Sequence, residues 1–531
     1  RHPNKRHRTA GSVFGAPSEA DYPSAQLNYP SSAASSTRAL PVYTVPSLVT
    51  LCARVFTAKF VQLHNNQTIW KVTSQYLQVL PGELKGRIFG MLTAAWPTYL
   101  SHEIIVTYFL NGSSVTLSSN LPGVNRNTIS SIKRFGASLR ELRLTGFEKI
   151  PDEAFASIIP SALQLRVLVL SGCSRVSGKT VLAASKCTQL RVANFNYTSV
   201  TPTSLAVLLV ACSELEVLKL AKVSNWTDTT FSKFLSGVDD TFRHVNLRNL
   251  KLRQTAVSDH SMMTFTTICP NLRRLDISFT GIRKPSLWVD QAPHLEKLCL
   301  TSTAISSGEL CSTIRNLSKL KTLAIGALGV GTSPNTTINN TSSMTLNDHD
   351  LILVSDLLAE HGRLESLSLV SNTKLSLTRR ESSALCHMIS RVGRKCKHLN
   401  LSSIPSLRSS DLAGLMPTFE DDEPSALQTL MLNNTGVDDE VAPFISCCPE
   451  LATLELAGTK ITNDGLFPII HACPKLVNLD LTSCRGIKVV DRRRFFEVSG
   501  ILFLDIFTKG SARSGSRPGR DTHTFSNVHS S

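Results

Sequence analysis

The sequence has few aromatic residues and none of the short motifs that mark a catalytic or metal centre. Aromatic residues make up 6% of its 531 positions, although 42% are apolar, a balance that favours stacked leucine layers over an aromatic globular core. No C-x-x-C, H-E-x-x-H or G-x-S-x-G occurs. The adjacent Cys447 and Cys448 cannot close a metal site alone. Residues 177–180 (SGKT) have the end of a phosphate loop, but Cys173 stands where that loop needs its first glycine. The sequence therefore predicts no enzyme, no cofactor and no metal site.

One short apolar phrase recurs thirteen times between Leu139 and Leu481. Its pattern is apolar-x-x-apolar-x-apolar, as in LRELRL (139–144) and LATLEL (451–456), and successive copies usually lie 23 to 26 residues apart. A fixed period of this length indicates one supersecondary unit stacked on itself, so we predict a solenoid over residues 135–490. The alternation within each phrase is typical of a strand with one buried face. Thr462 and Ser258 each precede a helical pattern as N-caps.

Five phrases have a cysteine three residues before their first leucine. These cysteines recur once per repeat and point into the predicted stack, where a thiol acts as a small buried hydrophobe. We therefore predict free thiols and no disulfide framework. Reduced cysteines are typical of the cytosol or nucleus. The five residues are Cys187, Cys212, Cys269, Cys448 and Cys473.

The phrase and its cysteines resemble the cysteine-containing leucine-rich repeat, most completely in TKITNDGLFPIIHACPKL at residues 459–476. The resemblance covers residues 135–490. It implies an α/β fold, a leucine-rich-repeat solenoid (horseshoe) with a parallel β-sheet on its concave face. In that family the L-x-L part is a strand and the T-D-x-x-L part opens a helix. A long surface of this kind favours the binding of other macromolecules.

The two ends of the chain depart from the repeat pattern. Residues 1–45 are rich in Ser, Pro, Ala and Thr and begin with a basic cluster, and residues 491–531 are basic and end in a Gly, Ser and Arg-rich stretch. Both compositions predict disorder. Part of the net charge of +16 lies in these ends, so basicity is poor evidence for binding of nucleic acid by the repeats. No apolar run is long enough to cross a membrane. We expect neither a nucleic-acid nor a membrane partner.

A helical pattern occupies residues 46–134, ahead of the repeats. Two segments place apolar residues at helical spacing, one behind Ser47 as N-cap and one behind Pro81. These apolar faces either cap the first repeat or lie in a groove on a partner. The two stripes are Leu48, Leu51, Cys52, Val55 and Phe56 in the first segment, and Leu84, Ile88, Met91 and Leu92 in the second.

Both segments resemble adaptor-binding boxes of ubiquitin-ligase receptors. LPGEL (80–84) with Ile88, Phe89 and Leu92 is similar to the first helix of an F-box, whose second half is not recognisable in residues 93–110. SLVTLCARVF (47–56) is similar to the elongin-binding box of SOCS-type and VHL-type receptors, with Leu80 and Pro81 as its second element. Either resemblance implies a non-catalytic substrate receptor of a cullin-RING (SCF-type) ligase, with the F-box adaptor or elongin C and a cullin as partners.

The adaptor-binding residues that the two resemblances imply are Leu48, Leu51, Cys52, Phe56, Leu80, Pro81, Leu84, Ile88 and Leu92. A receptor of this kind would deliver its client for ubiquitin-dependent degradation in the cytoplasm or nucleus. The alternative is a leucine-rich-repeat interaction scaffold with no ligase link, in which the two helical segments are only a cap.

Basic residues recur at the predicted concave positions of four adjacent repeats, where Asp276 is the only acid. Side chains alternate between the two faces of a strand, so these cations are expected to line one strip. We predict that the strip receives an acidic or phosphorylated segment of a client protein; the alternative is a chance alignment of surface charge. The predicted client-binding residues are Lys219, Lys251, Arg253, Arg274 and Lys297, with Val167, Val169 and Val192 as an apolar second half.

Overall fold

A computed structural model describes residues 46–224, 226–235, 238–239, 241–329, 344–377, 383–417, 423–488 and 491, and the backbone of residues 35–37. Its strands are β1 (Ser35–Thr37), β2 (Ser114–Ser118), β3 (Glu141–Thr145), β4 (Val167–Val169), β5 (Val192–Asn194), β6 (Val217–Lys219), β7 (Asn249–Lys251), β8 (Arg274–Asp276), β9 (Lys297–Cys299), β10 (Thr322–Ala324), β11 (Ser366–Ser368), β12 (His398–Asn400), β13 (Thr429–Met431), β14 (Thr453–Glu455) and β15 (Asn478–Asp480).

Strands β2 to β15 form one open parallel sheet in sequential order, and β1 joins its far edge antiparallel to β15. The thirteen apolar phrases form β3 to β15, one strand per phrase. Equivalent leucines lie opposite each other from strand to strand, as Leu275 does opposite Leu298, and both are almost completely buried. The predicted leucine-rich-repeat solenoid, with its parallel sheet on the concave face, is confirmed.

Strand β2 is an additional strand of the parallel sheet, ahead of the first phrase and inside the segment for which the sequence predicts helices. Its Val115 and Leu117 are buried and continue the leucine rows of β3. The segment reads SVTLS and therefore shows strand alternation without the spacing of the later phrases. The sheet thus begins at residue 114, ahead of the predicted start of the repeats at residue 135.

The helices are α1 (Leu48–Asn65), α2 (Gln67–Val79), α3 (Gly82–Ala95), α4 (His102–Ile104), α5 (Arg126–Ser131), α6 (Asp152–Ala156), α7 (Gly178–Ala184), α8 (Pro202–Ala211), α9 (Asp228–Leu235), α10 (Asp259–Ile268), α11 (Ser286–Val289), α12 (Ser307–Arg315), α13 (Asp348–His361), α14 (Ala384–Arg391), α15 (Ala442–Ile445) and α16 (Asn463–Ala472). From α5 onward the helices lie between successive strands of the parallel sheet and pack against those of neighbouring repeats, whereas α1 to α4 precede β2. A π-helix (Ile105–Phe109) and short 3-10 helices complete the connections, at Pro97–Tyr99, Ile132–Ser138, Ile159–Ser161, Gly393–Lys395, Ser409–Leu415 and Asp439–Val441.

Aspartates link the helical layer of one repeat to the next. The carboxylate of Asp228, at the first residue of α9, accepts hydrogen bonds from the amide and hydroxyl of Ser258 in the following repeat, at 3.0 and 2.5 Å. Asp439 accepts the equivalent pair from Thr462 at 2.7 Å each. Ser258 and Thr462 are also the predicted N-caps, and their hydroxyls accept from the helix amides that follow. A helix N-terminus and its neighbour are therefore fixed by the same residues.

The five cysteines that precede the phrases form the predicted ladder of buried free thiols. All thirteen cysteines of the chain are unpaired with one another, and the Sγ of Cys212 donates to the carbonyl of Cys187 in the preceding repeat at 3.3 Å. Burial raises the pKa of Cys187 to about 11 and that of Cys269 to about 12. A thiol with such a pKa stays protonated at neutral pH, so these cysteines act as weak donors and packing groups, not as nucleophiles.

The predicted disordered ends fall almost entirely outside the described residues. Of residues 1–45 only the backbone of β1 is described, and of residues 491–531 only Asp491. Among the helices that the structure does describe, none is both long and apolar enough to span a bilayer.

Candidate functional site

Helices α1, α2 and α3 pack together ahead of the sheet. Helix α1 buries Thr50, Ala53, Thr57 and Phe60. Arg87 on α3 donates to the Thr50 hydroxyl at 2.9 Å, and the Trp96 indole donates to the Thr57 carbonyl at 2.9 Å. Small side chains on α1 thus let α3 approach closely, and polar contacts fix the crossing.

The apolar stripe that the sequence predicts on α1 lies on the opposite face and is exposed. The exposed fraction is 75% for Leu48, 40% for Leu51 and 64% for Val55, and Cys52 is exposed beside them. Only Phe56 is half-buried, with its ring 5.9 Å from that of Phe60. Exposed apolar side chains at i, i+3, i+4 and i+7 are typical of a helix that lies in a partner's groove.

Helix α2 has a second exposed apolar stripe, which the sequence reasoning missed. Ile69, Val72, Tyr76 and Val79 follow each other at i, i+3, i+7 and i+10, and Val79 is 77% exposed. The spacing was visible in the sequence, but the same spacing is typical of a buried face, so it could not show which stripe faces solvent. Both helices therefore leave several large apolar side chains in solvent, although Phe60 of α1 and Leu77 of α2 are buried.

The predicted adaptor residues on α3 are divided between surface and interior. Ile88 and Leu92 are buried in the core that continues into the sheet, Leu80 and Leu84 are half-buried, and Pro81 is exposed. The sequence therefore identifies the stripe of α3 correctly, but its central residues pack inside the protein. The surface open to a partner is the one formed by α1 and α2.

The predicted client-binding cations come together on four neighbouring strands. Lys219 lies opposite Lys251, and Arg274 lies opposite Lys297. Opposed positions on adjacent strands are close enough for like charges to repel. Asp276 offsets part of this charge through an ion pair with Lys251, whose Nζ lies 3.5 Å from its Oδ2. We call Lys219, Lys251, Arg253, Arg274 and Lys297 the cationic strip.

The predicted valines lie on the strands that precede the cationic strip. Val167 is opposite Val192, and Val192 is opposite Val217 on β6. Val169 is largely buried, whereas Val167 and Val192 are half-buried. Val167 and Val192 therefore form an apolar surface on the strands beside those of the cationic strip, to which Val169 adds little exposed area.

The far end of the sheet carries the opposite charge. Glu455 on β14 lies opposite Asp480 on β15. Burial raises the pKa of Glu455, a hydrogen bond from Asn433 at 2.6 Å lowers it, and the charge of Asp480 raises it further, for a net increase. Strands β10 and β11, between the two charged regions, present small uncharged residues such as Thr322 and Ser366. The concave face is therefore polarised along its length.

Each of the thirteen repeats has a residue with left-handed backbone conformation two positions after the last apolar residue of its phrase. At nine of these positions the residue is small or Asn, and at four consecutive repeats it is large. A non-glycine residue in this conformation costs about 1–3 kcal/mol, and in the four consecutive repeats that residue also has a large side chain. The nine are Gly146, Gly172, Ser302, Ala327, Ser371, Ser403, Asn434, Gly458 and Ser483, and the four are Tyr197, Lys222, Gln254 and Phe279.

The four large left-handed residues, which we call the rim residues, follow the carboxyl ends of β5 to β8 and border the cationic strip there. The guanidinium carbon of Arg253 lies 4.6 Å from the centre of the Phe279 ring, and the Nζ of Lys222 lies 5.8 Å from that of Tyr197. A cation over an aromatic face is held in place by the ring quadrupole. Phe279 thus orients Arg253 of the strip, and Tyr197 orients Lys222 beside it.

The phosphate-loop fragment at residues 177–180 is already occupied by an internal carboxylate. Asp152 accepts hydrogen bonds from the amides of Ser177 and Lys179 at 2.9 and 3.2 Å and from the hydroxyl of Thr180. These are the donors that a phosphate would need. Among the described residues no cluster of three or more His, Cys, Asp or Glu side chains is placed to hold a metal ion.

Comparisons with known proteins concern the fold. No family model matches the sequence, and no curated protein matches it. Among solved structures, the chain is similar to one in the yeast Rad7 and Elc1 complex (17% identity, 80% of this chain and 96% of that one, TM-score 0.45). It is also similar to an internalin of Listeria monocytogenes (17%, 67% and 89%, 0.37) and to a leucine-rich-repeat protein of Leptospira interrogans (17%, 80% and 92%, 0.35). At this identity the likeness is one of repeat architecture alone.

Proposed function

We propose that this protein is a non-catalytic substrate receptor of a cullin-RING ubiquitin ligase. In this proposal the exposed stripe of α1 binds the adaptor, the adaptor joins the receptor to the cullin, and the cationic strip binds an acidic or phosphorylated segment of the client. Ubiquitin transfer then follows from proximity, so the chain itself needs no catalytic group. The alternative is an interaction scaffold that uses the same concave face without a ligase.

The exposed apolar face of α1 carries the proposal. A helix that served only as a cap would bury its whole apolar stripe against the repeats, whereas α1 buries Thr50, Ala53, Thr57 and Phe60 and leaves Leu48 and Val55 in solvent. Exposed side chains of this size are unfavourable unless a partner covers them. The face has the residues of the elongin-type box, so elongin C is the adaptor that we expect.

The F-box adaptor is the less favoured partner because of the packing of α3. An F-box resemblance rests on Leu84, Ile88 and Leu92, of which the last two are buried. Contact with these side chains would require α3 to leave the core that it shares with α1. The elongin-type box requires no such rearrangement.

Co-purification with elongin C tests the adaptor half of the proposal. Each exposed leucine or valine that is buried on binding contributes about 1.5–3 kcal/mol, so Leu48→Asp combined with Val55→Asp should weaken the association at least about 100-fold. Leu287→Asp is the matched control, because Leu287 is 54% exposed on α11, far along the solenoid. Equal recovery of elongin C with both variants would contradict binding through α1, and the interaction scaffold would then be the favoured function.

Replacement of Phe279 tests the rim residues. Phe279→Ser introduces the residue that four other repeats have at the same left-handed position, so the unfolding midpoint should not fall. The variant removes the ring that orients Arg253, a contact of about 0.5–1 kcal/mol, and client binding should weaken roughly twofold to fivefold. Titration of a bound client with both proteins provides the measurement, and unchanged affinity would exclude a role for the ring.

A further inference from the structure

Strand β7 places cations at alternating positions on its outward face. Its Leu250 and the following Leu252 are completely buried, so Lys251 and Arg253 turn to the concave side. Because side chains on one face of a strand are two residues apart, these two cations begin about 6.6–6.8 Å from each other. The next position on this face, toward the amino end of the strand, is the half-buried Asn249.

Both of these cations are held in place by neighbouring side chains. The centre of the Phe279 ring lies 4.6 Å from the guanidinium carbon of Arg253, and the Oδ2 of Asp276 lies 3.5 Å from the Nζ of Lys251. A side chain that is already ordered loses less conformational entropy when it binds a ligand than a freely rotating one does. The alternating pair is therefore preorganised for two acidic groups with the same spacing.

Arg248 extends the positive charge to the amino end of β7. Its side chain is exposed and pairs with no acid in the part of the chain that the structure describes. On the neighbouring strand β8, Arg274 lies directly opposite Asn249. Both arginines begin within about 5 Å of the Asn249 backbone, so a carboxylate above Asn249 would be in reach of two guanidinium groups.

An acidic segment meets more cations along β7 than across the repeats. Across the strands, the row of Lys251 continues to Lys219 on β6 and to Asp276 on β8, so an acid ends the row after two cations. The neighbours of Arg253 on both sides are small, uncharged and buried. Along β7 itself, the sequence RNLKLR (248–253) contains three cations and no acid. The direction of the strand is therefore the favourable path.

We propose that the client segment lies lengthwise along β7 in extended conformation, and that the protein selects clients with acidic side chains at alternating positions. Two of these side chains bind Lys251 and Arg253, and a third lies above Asn249. Facing extended chains pack about 10 Å apart, a gap that a lysine or arginine and the facing carboxylate side chain bridge together. This inference rests on the proposed client-binding role of the cationic strip, and it adds the alignment of the client and the spacing of its charges.

Two acidic peptides of equal composition test the proposal. The peptide TETETETET alternates its glutamates with threonine, whereas TTEEEETTT holds them in one block, so both have the same charge. Fluorescence anisotropy with the full-length chain at low ionic strength should give a Kd at least about fivefold lower for the alternating peptide, because only that peptide places a carboxylate at each of the three positions. Equal affinities, or tighter binding of the block peptide, would overturn the alignment along β7.

Arg248 provides the variant for this experiment, and Arg166 provides its matched control. Both arginines follow the first leucine of their phrases, are exposed and pair with no acid among the described residues. Arg166 precedes β4, which is three strands away from β7. Arg248→Ala should weaken binding of the alternating peptide about threefold, whereas Arg166→Ala should leave it unchanged. Equal effects of the two substitutions would contradict a path along β7.

The outcomes separate this inference from the proposed client role of the cationic strip. If both peptides bind equally and Lys251→Glu with Arg274→Glu abolishes the binding of both, the strip binds acidic segments and only the alignment along β7 is wrong. If neither peptide binds, the client role of the strip is wrong as well. A single-stranded oligonucleotide of the same charge that bound as tightly as the alternating peptide would also overturn the inference, because the surface would then attract any polyanion.

Discussion

Replacement of Asp152 with alanine is expected to lower the free energy of unfolding by about 3–5 kcal/mol. Its carboxylate is nearly buried and accepts from the amide and hydroxyl of Ser177 at 2.9 and 2.6 Å. It also accepts from the Lys179 amide and from the buried Thr180 hydroxyl. Alanine would leave these donors without an acceptor in a place that water reaches poorly. Urea denaturation followed by circular dichroism measures the change.

The next residue provides the control for this experiment. Glu153 pairs with Lys179 at 2.6 Å, but both side chains lie in solvent, where ion pairs contribute little. Glu153→Ala should leave the urea midpoint unchanged. If the two alanine variants shift the midpoint equally, the aspartate contacts between repeats do not hold the helical layer together.

The strands and the cysteine ladder could be predicted from the sequence because each depends on a short, repeated pattern. An apolar residue at every second position defines the buried face of a strand, and its return after 23 to 26 residues defines the stack. Even CKHLNL (396–401), which matches the pattern poorly, forms β12 in register with its neighbours, since Leu367 lies opposite Leu399. Neighbouring repeats impose the register on a weak one.

The orientation of α1 could not be predicted, because an apolar stripe does not reveal whether it is covered. The packed face consists mainly of Thr50, Ala53 and Thr57, which give little hydrophobic signal. The Thr57 hydroxyl donates to the Ala53 carbonyl at 2.8 Å, so a polar residue is satisfied within the helix and can be buried without loss. Small size and internal hydrogen bonding allow these residues to pack inward beside the buried ring of Phe60.

The left-handed backbone conformation that recurs in every repeat also could not be predicted from the sequence. Glycine marks it in only three of thirteen repeats, as at Gly146, so the residue type does not identify a conformation that glycine usually signals. The conformation follows from the geometry of the turn that leaves each strand. Only the structure shows that Tyr197 and Phe279 share this position and border the cationic strip.

The combined substitutions Lys251→Glu and Arg274→Glu are expected to reduce client recovery at least about tenfold. Lys251 and Arg274 lie in the centre of the cationic strip, on neighbouring strands, where charge reversal would turn attraction for an acidic segment into repulsion. Affinity purification with isotopic quantification compares the variant with the wild type. Elongin C recovered through α1 should stay constant in the same samples, which separates loss of the client from loss of the folded protein.

A control variant with the same change of net charge shows whether client binding is lost because of charge reversal at the strip or because of the net charge of the whole protein. Lys133→Glu with Lys186→Glu also converts two positive side chains to negative ones, but both lysines are exposed and lie outside the strands of the sheet. Clients bound by the cationic strip should be retained by this variant and should dissociate from the wild type as salt rises. A client that still binds after charge reversal at Lys251 and Arg274 is not bound by the strip. The same holds for a client that the control variant loses to the same extent. Either result would make the apolar surface formed by Val167 and Val192 the next candidate binding surface.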